Sequence, residues 1–127
     1  MLPVHFSRSG RPLIWGHRGA SADAPENTLA SFSLALRQDA DGVELDAQRC
    51  SSGEVVVVHD ETLQRTAGFA APVTQASYSV IRTLDAGAWK AERFKELVAR
   101  ECTVSLVGWS GACICVTSSW QVLEHRG

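Results

Sequence analysis

An α/β fold is the class this sequence predicts, on three observations. Val55-Val56-Val57-Val58 is a run of four valines bounded by Gly53 and by His59-Asp60. Such β-branched side chains fit a pleated surface better than a helix, and a continuous apolar run suits a strand buried on both faces. Pro12-Leu13-Ile14-Trp15 and Gly42-Val43-Glu44-Leu45-Asp46 have the same form and are separated by a helical stripe. Each run stops at polar residues, and in α/β folds ligands gather at the carboxyl ends of the strands.

The first predicted strand, 12–15, leads into Gly16-His17-Arg18-Gly19 and a polar loop, 20–27, in which Pro25 forbids a helix behind it. Thr28 is placed to cap a helix from Leu29 to about Gln38, with Leu29, Phe32 and Leu36 as its apolar stripe. Asp39-Ala40-Asp41-Gly42 ends that helix and begins the second strand, completing a βαβ unit with parallel pairing as the default. About eight residues, 47–54, join the second strand to the third, fewer than a parallel crossover usually needs. Two joins remain open: an abbreviated loop in a modified barrel, or a hairpin turning at Ser52-Gly53. In a simple hairpin Glu44 and His59 are expected to fall towards opposite ends. Residues 61–74 read as a loop, followed by a short helical stripe of Tyr78, Ile81 and Leu84 ending near Gly87.

With 127 residues the chain is one domain at most and small for a closed α/β barrel. Twelve basic against fourteen acidic residues give a net charge of −2, so no overall field attracts nucleic acid or an anionic membrane, and phosphate binding must be local. Residues 1–10 lack the apolar run of a signal peptide, and the chain reads as cytoplasmic. The four cysteines, at 50, 102, 113 and 115, lack zinc-ribbon spacing, and structural disulfides are not expected in that compartment. Residues 102–123 carry no charge and are rich in Ser, Gly, Trp and Cys, with neither a helical stripe nor an alternation. Their length would span a bilayer, but the hydroxyl residues dilute them, and a membrane span is not expected.

The chemistry-bearing residues each have an ordinary reading. His17 is a hydrogen-bonded strand-end histidine, Arg18 a surface cation, Glu44 with Asp46 the wet face of a strand, Asp60 a turn former, and Glu26 with Asn27 a helix start. Together they read differently. Glu44 and Asp46 share a strand face with Cα atoms roughly 6.5 to 7 Å apart, close enough for one hard divalent cation. Two histidines supply an acid and a base near neutral pH, and an arginine clamps a phosphate. Those are the parts for cleaving a phosphate ester.

His17-Arg18-Gly19-Ala20, Pro25-Glu26-Asn27-Thr28, Asp41 to Asp46, Gly53 to Asp60 with Leu63 and Arg65-Thr66, and Leu84-Asp85-Ala86-Gly87 resemble, in order and spacing, the glycerophosphodiester phosphodiesterases over about residues 12–96. The resemblance implies a TIM-type barrel, here an amino-terminal part of one, that hydrolyses glycerophosphodiesters to glycerol 3-phosphate and an alcohol. By motif position it makes His17 and His59 the acid/base pair, Arg18 the phosphate holder, Glu26 and Asn27 pocket residues, and Glu44 with Asp46 ligands of Mg2+ or Ca2+. The first nucleophile is either water or the substrate's own glycerol hydroxyl, through a cyclic phosphate.

After Glu96 the pattern departs from the family, which continues into further strands and a third acidic ligand. The chain therefore divides into an extension (1–11), a partial barrel (12–96) and an atypical tail (97–127) of the kind a frameshift or truncation leaves. Three barrel strands leave sheet edges unpaired, and the isolated chain is expected to be inactive. Two alternatives stand beside the leading one. One is a phospholipase of the same superfamily, which the stretch from Asp60 to Thr66 fits less well; the other is a non-catalytic fragment whose Cys113-x-Cys115 tail binds metal or a partner.

Overall fold

The structure, a computed structural model, describes residues 10–95, 113–117 and 122–125. Strand β1, Trp15–His17, is followed by helix α1, Leu29–Arg37, and by the long strand β2, Gly42–Arg49. β1 and β2 are parallel, with Trp15 opposite Gly42 and His17 opposite Glu44, so the expected βαβ unit is present. The first strand begins later than the apolar run predicted, and His17 is its last residue rather than part of the loop beyond.

Thr28 caps α1 as its sequence position predicts. Its hydroxyl accepts from the Ser31 N–H, and the Ser31 hydroxyl accepts from the Thr28 N–H. The buried stripe differs from the prediction: Ser31, Phe32 and Ala35 face inward, while Leu29 and Leu36 are 46% and 38% exposed. Close approach explains the change. A Cβ on Gly16 would stand 3.0 Å from the Ala35 Cβ, and one on Gly19 would overlap Ser31. Only small residues fit where the helix lies against the chain leaving β1.

The join after β2 is a hairpin. Strand β3, Val55–Val57, runs antiparallel to β2 with Val57 opposite Ala47 and Val55 opposite Arg49. Gly53 takes the left-handed conformation in the turn, φ 99°, and its N–H donates to the Cys50 carbonyl. Val55 is 46% exposed, so the valine run is buried only from its second residue on. The buried valines divide between two cores. Val57 joins Val43, Leu45, Ala47, Phe32 and Ala35 under α1, whereas Val56 and Val58 pack with Leu63, Val73, Ile81 and Ala86.

Residues 61–74, expected to be a loop, contain strand β4 (Thr62–Leu63), helix α2 (Gln64–Ala67) and strand β5 (Phe69–Pro72). These strands are too short for periodicity to mark them, and Gly68 with φ 68° ends α2 and reverses the chain. Helix α3 is Tyr78–Ile81. Strand β6, Cys113–Thr117, lies parallel to β2, and β7, Val122–His125, lies antiparallel to β6. The tail, in which no alternation was legible, thus covers an edge of β2 that three strands alone would leave open. The rest of the tail lies outside the described residues. The described part is an α/β fragment with no closed barrel, and none of its helices is long and apolar enough to cross a membrane.

Candidate active site

A strand has two edges, and the pairing of β2 uses them unequally. Val43 and Glu44 pair with both β1 and β6, so those two strands lie on opposite edges. Ala47 pairs with both β3 and β6, which puts β3 on the same edge as β1. β1 ends at His17 beside Glu44, and β3 runs in the opposite direction back towards the same place. The Arg18 N–H donates to the Glu44 carbonyl at 2.9 Å and the Val58 N–H to the Asp46 carbonyl at 3.0 Å. The expectation that a hairpin separates Glu44 from His59 is therefore incorrect. The carboxylates are the third and fifth residues of an eight-residue strand, and the returning arm comes back to them.

Alternation along β2 sorts its side chains. Val43, Leu45 and Ala47 are buried beneath α1, so Glu44, Asp46 and Gln48 occupy the other face. The Gln48 amide donates to the carbonyls of Val58, His59 and Asp60 at 3.1, 3.2 and 2.7 Å, which fixes the backbone that carries His59. Glu44 Oε2 accepts from the Arg18 N–H at 3.2 Å and lies 3.6 Å from His17 Nε2. Asp46 accepts from Asn27 Nδ2 at 3.0 Å, and its N–H donates to Asn27 Oδ1 at 3.3 Å. Partial burial, and then the neighbouring Asp46 charge, push the Glu44 carboxyl above its ordinary value. Two hard oxygen donors repelling one another in a half-buried place suit a divalent cation, which would relieve that repulsion. Among the described residues they form no cluster of three or more potential ligands.

Arg18 and Asn27 are both left-handed, φ 59° and 57°, a conformation costly for non-glycine residues and held here by the surrounding bonds. The Asn27 N–H donates to the Arg18 carbonyl at 2.9 Å, tying the two together. Arg18 Nη1 donates to Glu26 Oε2 at 3.0 Å, whereas its buried Nε lies 3.5 Å from Asp46 Oδ2 and donates no hydrogen bond among the described residues. That Nε is enclosed beside the Asp46 carboxylate, an ionic contact that fixes the Arg18 guanidinium from within.

Glu26 also receives both terminal nitrogens of Arg65, at 2.7 and 3.0 Å. Arg65 in turn donates to Asp60 from Nε at 2.9 Å and from Nη2 at 3.0 Å, and Asp60 Oδ1 meets His59 Nδ1 at 2.9 Å. An unbroken series of charge-assisted contacts therefore runs from Arg18 through Glu26, Arg65 and Asp60 to His59. Burial opposes ionisation of Glu26, but Arg65 and Arg18 outweigh it and hold the carboxyl below its usual value. Chiefly by hydrogen bonding, Arg65 depresses Asp60 to about 2, and the two carboxylates raise Arg65 still further.

The fold thus brings His17, Arg18, Glu26, Asn27, Glu44, Asp46 and the His59 segment into one connected region, with the His17 side chain the most open at 73% exposed. Sequence reasoning did not assign Arg65 or Gln48 to the site, and it gave Asp60 only a turn. Arg65 lies within the matched motif, but its role depends on α2 bringing it back to Glu26, 39 residues away in sequence. Trp89 was likewise unforeseen; its ring lies 5.5 Å from the Arg65 guanidinium carbon.

Comparison with known proteins gives the family and the fold. The model of the glycerophosphoryl diester phosphodiesterase family matches residues 17–116. A probable glycerophosphodiester phosphodiesterase 1 of Mycobacterium tuberculosis is 46% identical over 81 residues, 64% of this chain and 30% of the relative. The crystal structure of a glycerophosphodiester phosphodiesterase from Agrobacterium tumefaciens superposes with a TM-score of 0.66 at 46% identity, covering 72% of this chain and 38% of that one. An Oleispira antarctica phosphodiesterase in complex with the product sn-glycerol-3-phosphate superposes with a TM-score of 0.73 at 30% identity, covering 84% and 44%. The chain spans about a third of the length of the curated relatives it matches.

Proposed function

The chain belongs to the glycerophosphoryl diester phosphodiesterase family, and from that premise we propose that its site is built for metal-assisted hydrolysis of glycerophosphodiesters to glycerol 3-phosphate and an alcohol. The observation that carries the reading is the meeting of β1 and β3 on one edge of β2, which gathers two histidines, an arginine and two carboxylates. A glycerol 3-phosphate product in the Oleispira antarctica relative supports a glycerol-bearing substrate over the phospholipase alternative.

In this reading Glu44 and Asp46 hold a divalent cation, Mg2+ or Ca2+, which when bound offsets charge on the phosphate oxygens. Arg18 binds the phosphate, its guanidinium held in place by Glu26 and Asp46. Glu26 and Asn27 act mainly by posture: Glu26 holds Arg18, and Asn27 holds Asp46. One histidine takes the proton of the attacking hydroxyl, whether water or the substrate's glycerol, and the other protonates the departing alkoxide. The substrate is a small, soluble diester rather than nucleic acid, and the setting is cytoplasmic.

Residues 12–96 supply these groups, and the tail from 97 adds none of them. Eight strands close a TIM barrel, and the described strands do not close one, so the 127 residues alone are proposed to be inactive. The experiment is a chimaera in which residues 12–95 replace the matching segment of the Agrobacterium tumefaciens enzyme. It should release glycerol 3-phosphate from glycerophosphocholine in the presence of Mg2+ or Ca2+. A folded chimaera without turnover would remove the proposal.

A further inference from the structure

We propose that Arg65 is a positioning residue: held between the Glu26 and Asp60 carboxylates, it fixes Asp60 against the Nδ1 edge of His59 and so presents the Nε2 edge to the substrate. The inference rests on the acid/base role assigned to His59 above.

The contacts of Arg65 are too specific for a surface charge finding any partner. Nη1 and Nη2 meet the two oxygens of Glu26, while Nε and Nη2 meet the two oxygens of Asp60. The guanidinium fork therefore engages a carboxylate along each of two edges, a geometry that an ammonium cannot reproduce. Trp89 lies within cation–π reach and limits movement out of this position. Glu26 Oε2 accepts from Arg18 as well as from Arg65, so Arg65 is referred to the phosphate-holding residue itself.

The consequence for His59 follows from hydrogen-bond chemistry. Asp60 titrates at about 2, so near neutral pH it is ionised and accepts only. The 2.9 Å contact with Nδ1 then requires the proton to sit on Nδ1, leaving the Nε2 lone pair as the base. Gln48 already fixes the backbone of this turn through three carbonyls, and the side-chain orientation is what remains for Arg65 to set. Arg65 itself need not touch the substrate.

The test is histidine-selective nitrogen NMR of the full 127-residue chain, at a pH where the imidazoles are neutral. In the unsubstituted chain His59 should be mainly the Nδ1–H tautomer. Arg65→Gln should lower the ratio of Nδ1–H to Nε2–H about tenfold, the scale of one charge-assisted hydrogen bond, and Asp60→Asn should do the same. His17 contacts Glu44 and touches neither Arg65 nor Asp60, so its tautomer signals should stay in place in both variants. An unchanged His59 ratio in Arg65→Gln would overturn the proposal, as would an Nε2–H majority at the outset. Movement of His17 together with His59 would make Arg65 a general brace and would also overturn it. Because the readout needs no turnover, a failed hydrolysis assay and a failed positioning role are distinguishable.

Discussion

The Val58 N–H donates to the carbonyl of Asp46 at 3.0 Å, which returns the third strand to the carboxylate-bearing middle of the second. This pairing depends on a turn whose Gly53 has φ 99°. A Cβ there meets nothing within 4 Å, so Gly53→Ala should carry only the backbone penalty, about 1 to 2 kcal/mol. Urea denaturation measures it, and unchanged stability would show that the turn does not govern the hairpin.

The approach of α1 to the loop after β1 predicts a larger effect. A Cβ on Gly19 would overlap Ser31, and Gly19 has φ 81°. Gly19→Ala should therefore cost about 3 kcal/mol or more, combining overpacking with backbone strain. Thermal melting of the variant beside Gly53→Ala would rank the two, and the reverse ranking would count against the close packing described.

Glu44 and Asp46 should bind one divalent cation with modest affinity, water completing the shell, a condition Mg2+ tolerates better than Ca2+. Calorimetric titration of the chain against the double variant Glu44→Ala with Asp46→Ala checks this. Equal binding by both proteins would remove the metal assignment.

Asp60 sets a pH dependence. Its folded value, about 2, is depressed from 3.8, so its contribution to stability is present in full above about pH 4 and is lost as the pH falls through about 2. Asp60→Asn should be less stable by about 1 kcal/mol at neutral pH, with the gap closing in acid. Denaturation curves between neutral pH and about pH 2 would reveal a constant gap if the ion pair with Arg65 contributes nothing.

Much of the fold was legible because its signals are local. Thr28 ahead of a helical stretch marked α1, and the alternation of Val43, Glu44, Leu45 and Asp46 marked both the second strand and its carboxylate face. The register of the hairpin was not legible, since Ser52-Gly53 announces a turn without stating how far along β2 the returning arm reaches. The helix stripe was misread because Leu29 and Leu36 are more apolar than Ser31 and Ala35, whereas close contact with Gly16 and Gly19 selects small side chains. Arg65 was missed for a third reason: its partners Glu26 and Asp60 are neighbours only after folding.

The central claim, that His17 and His59 are the acid and base of one phosphodiesterase site, is tested most directly by turnover of glycerophosphocholine in the chimaera carrying residues 12–95. Replacing either histidine by Ala should lower the rate of glycerol 3-phosphate release by about a hundredfold or more while leaving substrate binding nearly unchanged. Full turnover in both histidine variants would contradict the account.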